Sequence, residues 1–432
     1  MNVIKPIRTT SYATYTRAST ATYFDSAKVM QTAAVNAPRV SWNPETGAFE
    51  GVLIEPARTN LLLNSATLST QTRTVTNSEF YTLSFFGTGA ITLSGAFAGT
   101  LQGTGVYPTK RVTRTFVTSG TSLTLTVSGT VQYAQLEVGL FPTSYIPTTS
   151  APATRAADVV TGAGLFVSTF PQPVADWAVG TTYVTGNTMH ASGRLYESLV
   201  DANTGNAPAA NPSKWLDVGP SNPLACLDNV VSTPSTAPAS AQVFAIKLPS
   251  SVSACALMAV TGARAHVAVN SGAGSISSQS TTHLASVNGA TTTALTGFAP
   301  GQYVSVWIAG DTSVSIGEFI AGTFHQLGAT QYGHSFSITD YSRKDTDEFG
   351  TTTFLKRATA KRMSVPVRVP KGNYNNVVLL MESITSTPTV WIASDDPEYS
   401  AGAVVYGNWA DFDLEIAYPT ENLCNLEIQG LI

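Results

Sequence analysis

Short alternating runs, with no competing helical period, set what this chain can become. Tyr81, Leu83 and Phe85 alternate with Thr82 and Ser84, and Leu123, Leu125 and Val127 alternate with Thr124 and Thr126. A period of two with one apolar side is the pattern of a half-buried antiparallel strand. Val131 and Tyr133 continue it, and Leu136 and Val138 resume it one residue out of phase, which predicts a bulge or kink. No stretch repeats apolar residues at helical spacing over three turns, and the best helix candidate is short, residues 26–34. Glycine turns (FGTGA, AFAGT, QGTGV, SGTSL) separate the runs, and no repeat of about 20–50 residues suggests a solenoid or propeller. The expected fold is all-β, built from antiparallel sandwiches.

At 432 residues the chain is too long for one ordinary core, so two to four domains are expected. Charged residues make up only 12%, against roughly 25% in a typical soluble domain. Low charge fits a chain that lives in an assembly, because large contacts are depleted of charge. The net charge is −4 with no long basic run, which argues against a nucleic-acid partner. No run of about 18 apolar residues suggests membrane insertion, and MNVIKPIRTTSYATYT lacks a signal-peptide core, so synthesis in a cytoplasm is expected. Cys226, Cys255 and Cys424 are odd in number and show no CxxC spacing, so they read as buried free thiols.

Composition divides the chain at 1–158, 174–219, 221–338 and 339–432. PTSYIPTTSAPATRAAD (142–158) reads as a linker and VSTPSTAPAS (231–240) as a breaker. Around Asp340 the charge becomes densest, in YSRKDTDEFG and FLKRATAKRM. Beyond it the apolar runs VVLLM, TVWIA and LEIAY read as strands.

In this charge-poor chain, ETGAFEGVLIEPARTNLLLNS (45–65) gathers three glutamates and an arginine. Glu45, Glu50 and Glu55 could supply a carboxylate pair for acid–base work on a glycosidic bond. The simpler reading is architectural: Glu55 pairs with Arg58 in a turn, Gly47 and Gly51 permit tight backbone, and Leu61–Leu63 continue as a buried strand.

RASTATYFDS (17–26), APRVSWNPETGAFEGVLIEPARTNLL (37–62) and QLEVGLFPTSYIPTTSAPATRAAD (135–158) resemble a lectin-like β-sandwich domain repeated in the virion proteins of tailed bacteriophages, in head spikes, tail fibres and tail tips. The resemblance covers about the first 160 residues. It implies a virion structural module, of a kind to which glycan binding is ascribed, with the charged turn leading into the sandwich. Residues 175–219 resemble the small three-stranded modules of the chitin- and cellulose-binding type, with Trp177, Tyr183, Tyr196 and Trp215 at that family's spacing. As sugar platforms these rings would have to be exposed; as the core of so small a unit they would be buried and the module a spacer. Asn206-Ala207-Pro208 stands where chitin binders place an exposed Trp before Pro, and Ala191 where many have Tyr. Residues 320–432 resemble the end of tail-tip and tail-fibre proteins.

Asp345, Asp347 and Glu348, and Asp395, Asp396 and Glu398, lack the spacing of a calcium loop and read as solvated turns. Asp411, Asp413 and Glu415 alternate with Phe412, Leu414 and Ile416 as a strand with one acidic face, which could oppose the basic segment 356–362 within or between chains. GxSxG, HExxH and phosphate-loop motifs are absent, and the histidines (190, 266, 283, 325, 334) are scattered. The expectation is a non-enzyme without catalytic, metal or cofactor residues. It would be a phage tail protein for host attachment by weak glycan contacts, carried in the virion as a homotrimer among other tail proteins. A purely structural decoration protein and a polysaccharide-cutting tailspike are the alternatives.

Overall fold

The alternating runs form a two-sheet sandwich in a computed structural model that describes residues 1–7, 11–228, 230–238, 241–270, 276–282, 291–296, 302–310, 313–346, 348–357, 359–394 and 403–431. One sheet pairs Arg111–Val117, Phe80–Phe86 and Gln132–Val138; the other orders Gly99–Gln102, Ala90–Gly95, Ser122–Ser128 and Gln71–Thr74. Leu83, Phe85 and Leu136 meet Ile91, Leu93, Leu123 and Leu125 between them. Each such side chain contributes about 1.5–3 kcal/mol on burial. The predicted slip is present: register breaks between Gln132 and Gln135, with Tyr133 at φ 49°. Phe80–Phe86 is buried on both faces from Tyr81 onward, so the polar residues Thr82 and Ser84 are also inside.

The whole chain is all-β and multidomain. A five-stranded sheet orders Gly164–Ser168, Gln242–Lys247, Tyr303–Ala309, Arg264–Asn270 and Ile276–Thr282. It packs through Phe244, Ile246, Val304 and Val306 on Cys255, Leu257 and Phe319 of a ten-stranded sheet. At the far end of that larger sheet, Met363, Val365, Leu426 and Ile428 are covered by the helix Tyr374–Ser383. All three cysteines are free and buried, and burial pushes each thiol up to about 12.

Several sequence expectations are corrected here. Asn2–Pro6 leaves the first 158 residues and pairs between Glu318–Gln326 and Thr389–Ile392, and the division at 338/339 falls inside the strand Ser335–Asp340. Residues 26–34 are not helical. Met30–Ala33 pairs with Ala21–Phe24, and Asp25 closes the hairpin by accepting from the amides of Ala27 and Val29. VVLLM lies in the helix Tyr374–Ser383, where Val377, Leu380 and Met381 share its buried face; the β-branched pair hid that spacing. LEIAY is strand only as far as Glu415. VSTPSTAPAS contains a strand, Ser235–Pro238, paired with Ser313–Ile316. Residues 142–158 are no linker: Thr143, Tyr145, Ile146 and Thr148 are buried, and Ala153–Arg155 pairs with Arg58–Asn60.

The charged stretch docks this region on the five-stranded sheet. Gly51, at φ +84°, brings its backbone so close that an added Cβ would stand 2.8 Å from Ser305 Cβ. The next amide, of Val52, donates to Ser305 Oγ at 2.9 Å. Gly51→Ala combines a left-handed penalty of about 1–2 kcal/mol with overpacking of about 1–3 kcal/mol. Thermal unfolding should show the variant's first transition at a clearly lower temperature than that of the unsubstituted chain.

Candidate functional site

The motif residues of the first 158 positions converge on one buried cluster of charge. Asp158 Oδ2 lies 2.5 Å from Arg39 Nη2, and its Oδ1 lies 3.2 Å from Arg17 Nη1. Glu55 Oε2 lies 2.8 Å from Arg39 Nη1 and 2.6 Å from Arg155 Nη1. The Glu55 amide donates to Asp158 Oδ2 at 2.9 Å, and Tyr15 donates its hydroxyl to Asp158 Oδ1. Ser144 donates to Glu55 twice, from its amide at 2.8 Å and from Oγ at 2.7 Å. Further guanidinium protons go to backbone carbonyls, those of Ser19 and Ala34 from Arg17, Thr22 from Arg39 and Pro56 from Arg155, while Arg39 Nε and Arg155 Nε are buried without a hydrogen-bond partner among the described residues. Ions so fully removed from water persist only when paired and hydrogen-bonded to this extent.

The charge logic follows. Burial alone would raise Glu55, but the Arg39 and Arg155 charges and the Ser144 bonds outweigh it and hold the carboxyl below its usual range. Burial also works against Arg39, yet Glu55 and Asp158 raise it overall. Burial lowers Arg155 despite Glu55. Burial raises Tyr15, helped by Asp158. Glu55 therefore stays ionised with its oxygens spent on Arg39, Arg155 and Ser144, the opposite of a carboxyl poised to donate a proton.

Glu55 does not pair with Arg58, as its spacing had suggested. The chain turns away after Pro56, and Arg58 Nε lies 3.8 Å from Glu137 Oε2. Nor do Leu61–Leu63 extend the strand: it ends at Asn60, whose side-chain amide donates to Ala134 and Ile146 carbonyls, and only Leu62 is fully buried. A second polar layer continues the first: Glu137 accepts from the Thr143 amide and hydroxyl, and Gln135 accepts from the Ile146 amide. Together they fasten residues 143–146 to the outer face of the three-stranded sheet.

Above the cluster lies a cleft of about 280 Å³ lined in part by Asn43, Glu45, Glu50, Arg111, Ser144 and Tyr145. Burial raises Glu50, although it accepts from Asn43 Nδ2 at 3.1 Å and Ser41 Oγ at 3.3 Å. Glu45 is exposed at the rim, 4.0 Å from Lys110 Nζ. The three glutamates thus line one cleft with different partners, and the Glu55 charge adds to the raising of Glu50.

The four rings singled out in residues 174–219 form that module's core. Tyr183, Tyr196 and Trp215 are buried and Trp177 packs half-buried against them, beside the sheet of Thr188–Ala191, Arg194–Ser198 and Trp215–Pro220. Tyr183 and Trp215 meet edge to face at 5.2 Å, and Trp215 Nε1 donates to the Asn206 carbonyl at 2.9 Å. The sugar-platform reading of Tyr183, Tyr196 and Trp215 is corrected: a ring closed in on both faces offers none to a pyranose. His190 bridges Asp176 (2.6 Å) and the Gly193 amide (3.1 Å), a tie within the same unit. His266 packs on Trp307, and His283 lies outside the described residues.

Asp345 is held by Arg343 at 2.8 Å, and Asp347, Asp395, Asp396 and Glu398 lie outside the described residues. Among the described residues, no group of three or more His, Cys, Asp or Glu is placed to hold a metal. The strand Val404–Glu415 carries Asp411, Asp413 and Glu415 on an exposed face, as expected. The basic strand Thr359–Pro370 does not lie beside it, because Glu421–Gly430 is inserted between them and supplies Glu427 and Glu421 to Arg362 and Arg368.

Sequence reasoning assigned no role to Arg17, Arg39, Arg155 or Asp158, although each stands inside a quoted motif. Their rarity in a 12%-charged chain, each beside small or apolar residues, was the available signal.

No family model and no curated protein matches the chain. Among solved structures, a GH78-family rhamnosidase of Bacillus sp. GL1 is similar over 79% of this chain at 12% identity, with a TM-score of 0.23. The chain spans 36% of that enzyme's length, and a likeness this slight carries no argument about chemistry.

Two outcomes are expected from the carboxylates. Glu55→Gln leaves Arg39 and Arg155 under-compensated and should cost about 3–5 kcal/mol at neutral pH. The folded state lowers Glu55, so its contribution is present above the unfolded value, near 4.3, and is lost as pH falls through the folded one. The variant's acid limb should therefore be flatter in chemical denaturation. Glu50 has the opposite sign. Its raised folded value makes it a liability that grows as pH rises through the ordinary carboxylate range. Glu50→Gln should raise the unfolding temperature at neutral pH and leave it unchanged well below that range.

Proposed function

We propose that this chain is a structural protein of a tailed-bacteriophage virion, placed at the tail tip or fibre, which serves host attachment by presenting rigid pleated surfaces in several copies. One observation carries the reading. The two motif halves that resemble the virion domain, GVLIEPARTNL and TSYIPT followed by TR and AAD, meet through Glu55, Ser144, Arg155 and Asp158 in a single buried cluster. The resemblance therefore rests on residues that hold the fold together, and two of the acidic residues, Glu55 and Asp158, are committed to arginines. Weak single contacts with surface glycan become firm when several copies engage one cell, by a factor of about 10²–10⁴.

A second reading, a decoration protein that never touches the receptor, is favoured by the burial of Tyr183, Tyr196 and Trp215, which makes residues 174–219 a spacer.

Antibody against the chain should label the tails of phage particles in electron micrographs; label confined to non-particulate material would contradict the proposal. Displayed densely on beads, the protein should retain bacterial surface polysaccharide that the free chain does not. No retention on any polysaccharide would favour the decoration reading, and release of new reducing ends would overturn both in favour of an enzyme.

A further inference from the structure

The C-terminal part carries a projection with no core of its own. Among the described residues Arg343–Thr346 pairs only with Thr352–Leu355, and every residue of both strands is exposed. Phe354 is 70% and Leu355 55% exposed; Ile338, on the strand leading in, is 61% exposed. A lone two-stranded hairpin is at best marginal in water, and apolar side chains concentrated on one mark a surface that meets something. Of the arm's cations, Lys344, Lys356 and Arg357 form no ion pair among the described residues, although Lys344 lies over the Phe354 ring at 5.8 Å and the Lys356 charge acts on Asp340. Asp345 is taken by Arg343. Glu348 stands in the turn at the tip, away from Lys356 and Arg357 at the base.

A surface of matching character lies elsewhere on the same chain. The strand Val404–Glu415 is paired on one side along most of its length, but Thr389–Ile392 covers its other side only at residues 404–407. Beyond Gly407 that edge is unpaired among the described residues. It carries Asp411, Asp413 and Glu415, for which no basic partner lies within ion-pair distance among the described residues. Just past its end, Ile416 is 74% and Tyr418 55% exposed. With Tyr374 and Pro419 they line a recess of about 510 Å³, room enough for a large apolar side chain.

The chain's own arm is badly placed to reach this surface. The arm departs where Thr359 pairs with Asp340, whereas the recess lies beside Pro370 and Glu421, at the opposite end of the strand Thr359–Pro370. At ~3.3 Å per residue those ends are about 35 Å apart.

We propose that the arm of one copy docks on the outer edge of Val404–Glu415 of a second copy of this chain. Phe354 enters the recess, and Lys344, Lys356 and Arg357 face Asp411, Asp413 and Glu415. An exposed strand edge is a template for such addition. The contact joins two different surfaces, so it builds a ring if the rotation closes. This supplies the multiple copies that the proposed function needs. Its test reads mass alone, without polysaccharide or phage, so the two can fail separately.

Sedimentation velocity of the full chain over a range of concentrations should show assemblies larger than the 45.3 kDa monomer, weakened by salt. Phe354→Ser should shift the midpoint of assembly at least tenfold to higher concentration. A triple reversal on the arm (K344E, K356E, R357E) and a triple reversal on the edge (D411K, D413K, E415K) should each give a monomer. Mixed together, the two should assemble again, which also shows that both fold. A wild-type chain that stays monomeric throughout would overturn the proposal and leave the acidic edge as a guard against pairing. So would reversed variants that assemble as the wild type does, or a mixture that fails to.

Discussion

Burying guanidinium groups is tolerable only if carboxylates go with them, and the first 160 residues are organised around meeting that condition. Arg17, Arg39 and Arg155 come from three separate short segments, and Glu55 and Asp158 from two, with Asp158 just past the strand that pairs with Arg58–Asn60. None of these segments is long enough to hold itself in place. Each becomes fixed because its charge has one satisfactory location, and that location is shared. The cost of desolvating five ions is offset by mutual pairing and by backbone carbonyls, so the cluster gives specificity of arrangement more surely than net stability.

This explains how an irregular base can support a regular sandwich. The two sheets pack by apolar complementarity alone, Leu against Leu across the gap. Outside them, residues 143–158 run as a strap, held by Glu137, Gln135 and Glu55 at residues 143–146 and by Glu55 again through Arg155 towards the other end. The same base abuts the five-stranded sheet through Gly51 and Val52. Polar contacts thus connect units whose cores are separate.

The sandwich strands and the slip near Tyr133 were legible in the sequence because a two-residue period reports directly on a surface with one buried face. The strap was not. Its Pro, Thr and Ser give no period, and its partners, Glu137 and Gln135, lie in a strand whose outer face looks like one meant for water. The helix at Tyr374–Ser383 was missed because three apolar positions in one face of ten residues are too few to separate from a short strand. The place of Asn2–Pro6 in a sheet otherwise made by residues after 250 could not be read from either segment, since pairing over such separations leaves no local trace. At the candidate site the motif spacing pointed to Glu55 but to the wrong partner. Arg58 is near Glu55 in sequence, whereas Arg39 and Arg155 are near it only in the folded chain.

The most direct test is the ionisation of Glu55 itself, followed by its side-chain carboxyl carbon resonance in glutamate-labelled protein as pH is lowered. An architectural carboxylate clamped by two arginines should keep the ionised shift below the usual carboxylate range, until the first domain unfolds. A resonance that titrates in the folded protein near or above neutrality would mark Glu55 as a proton donor and contradict the account.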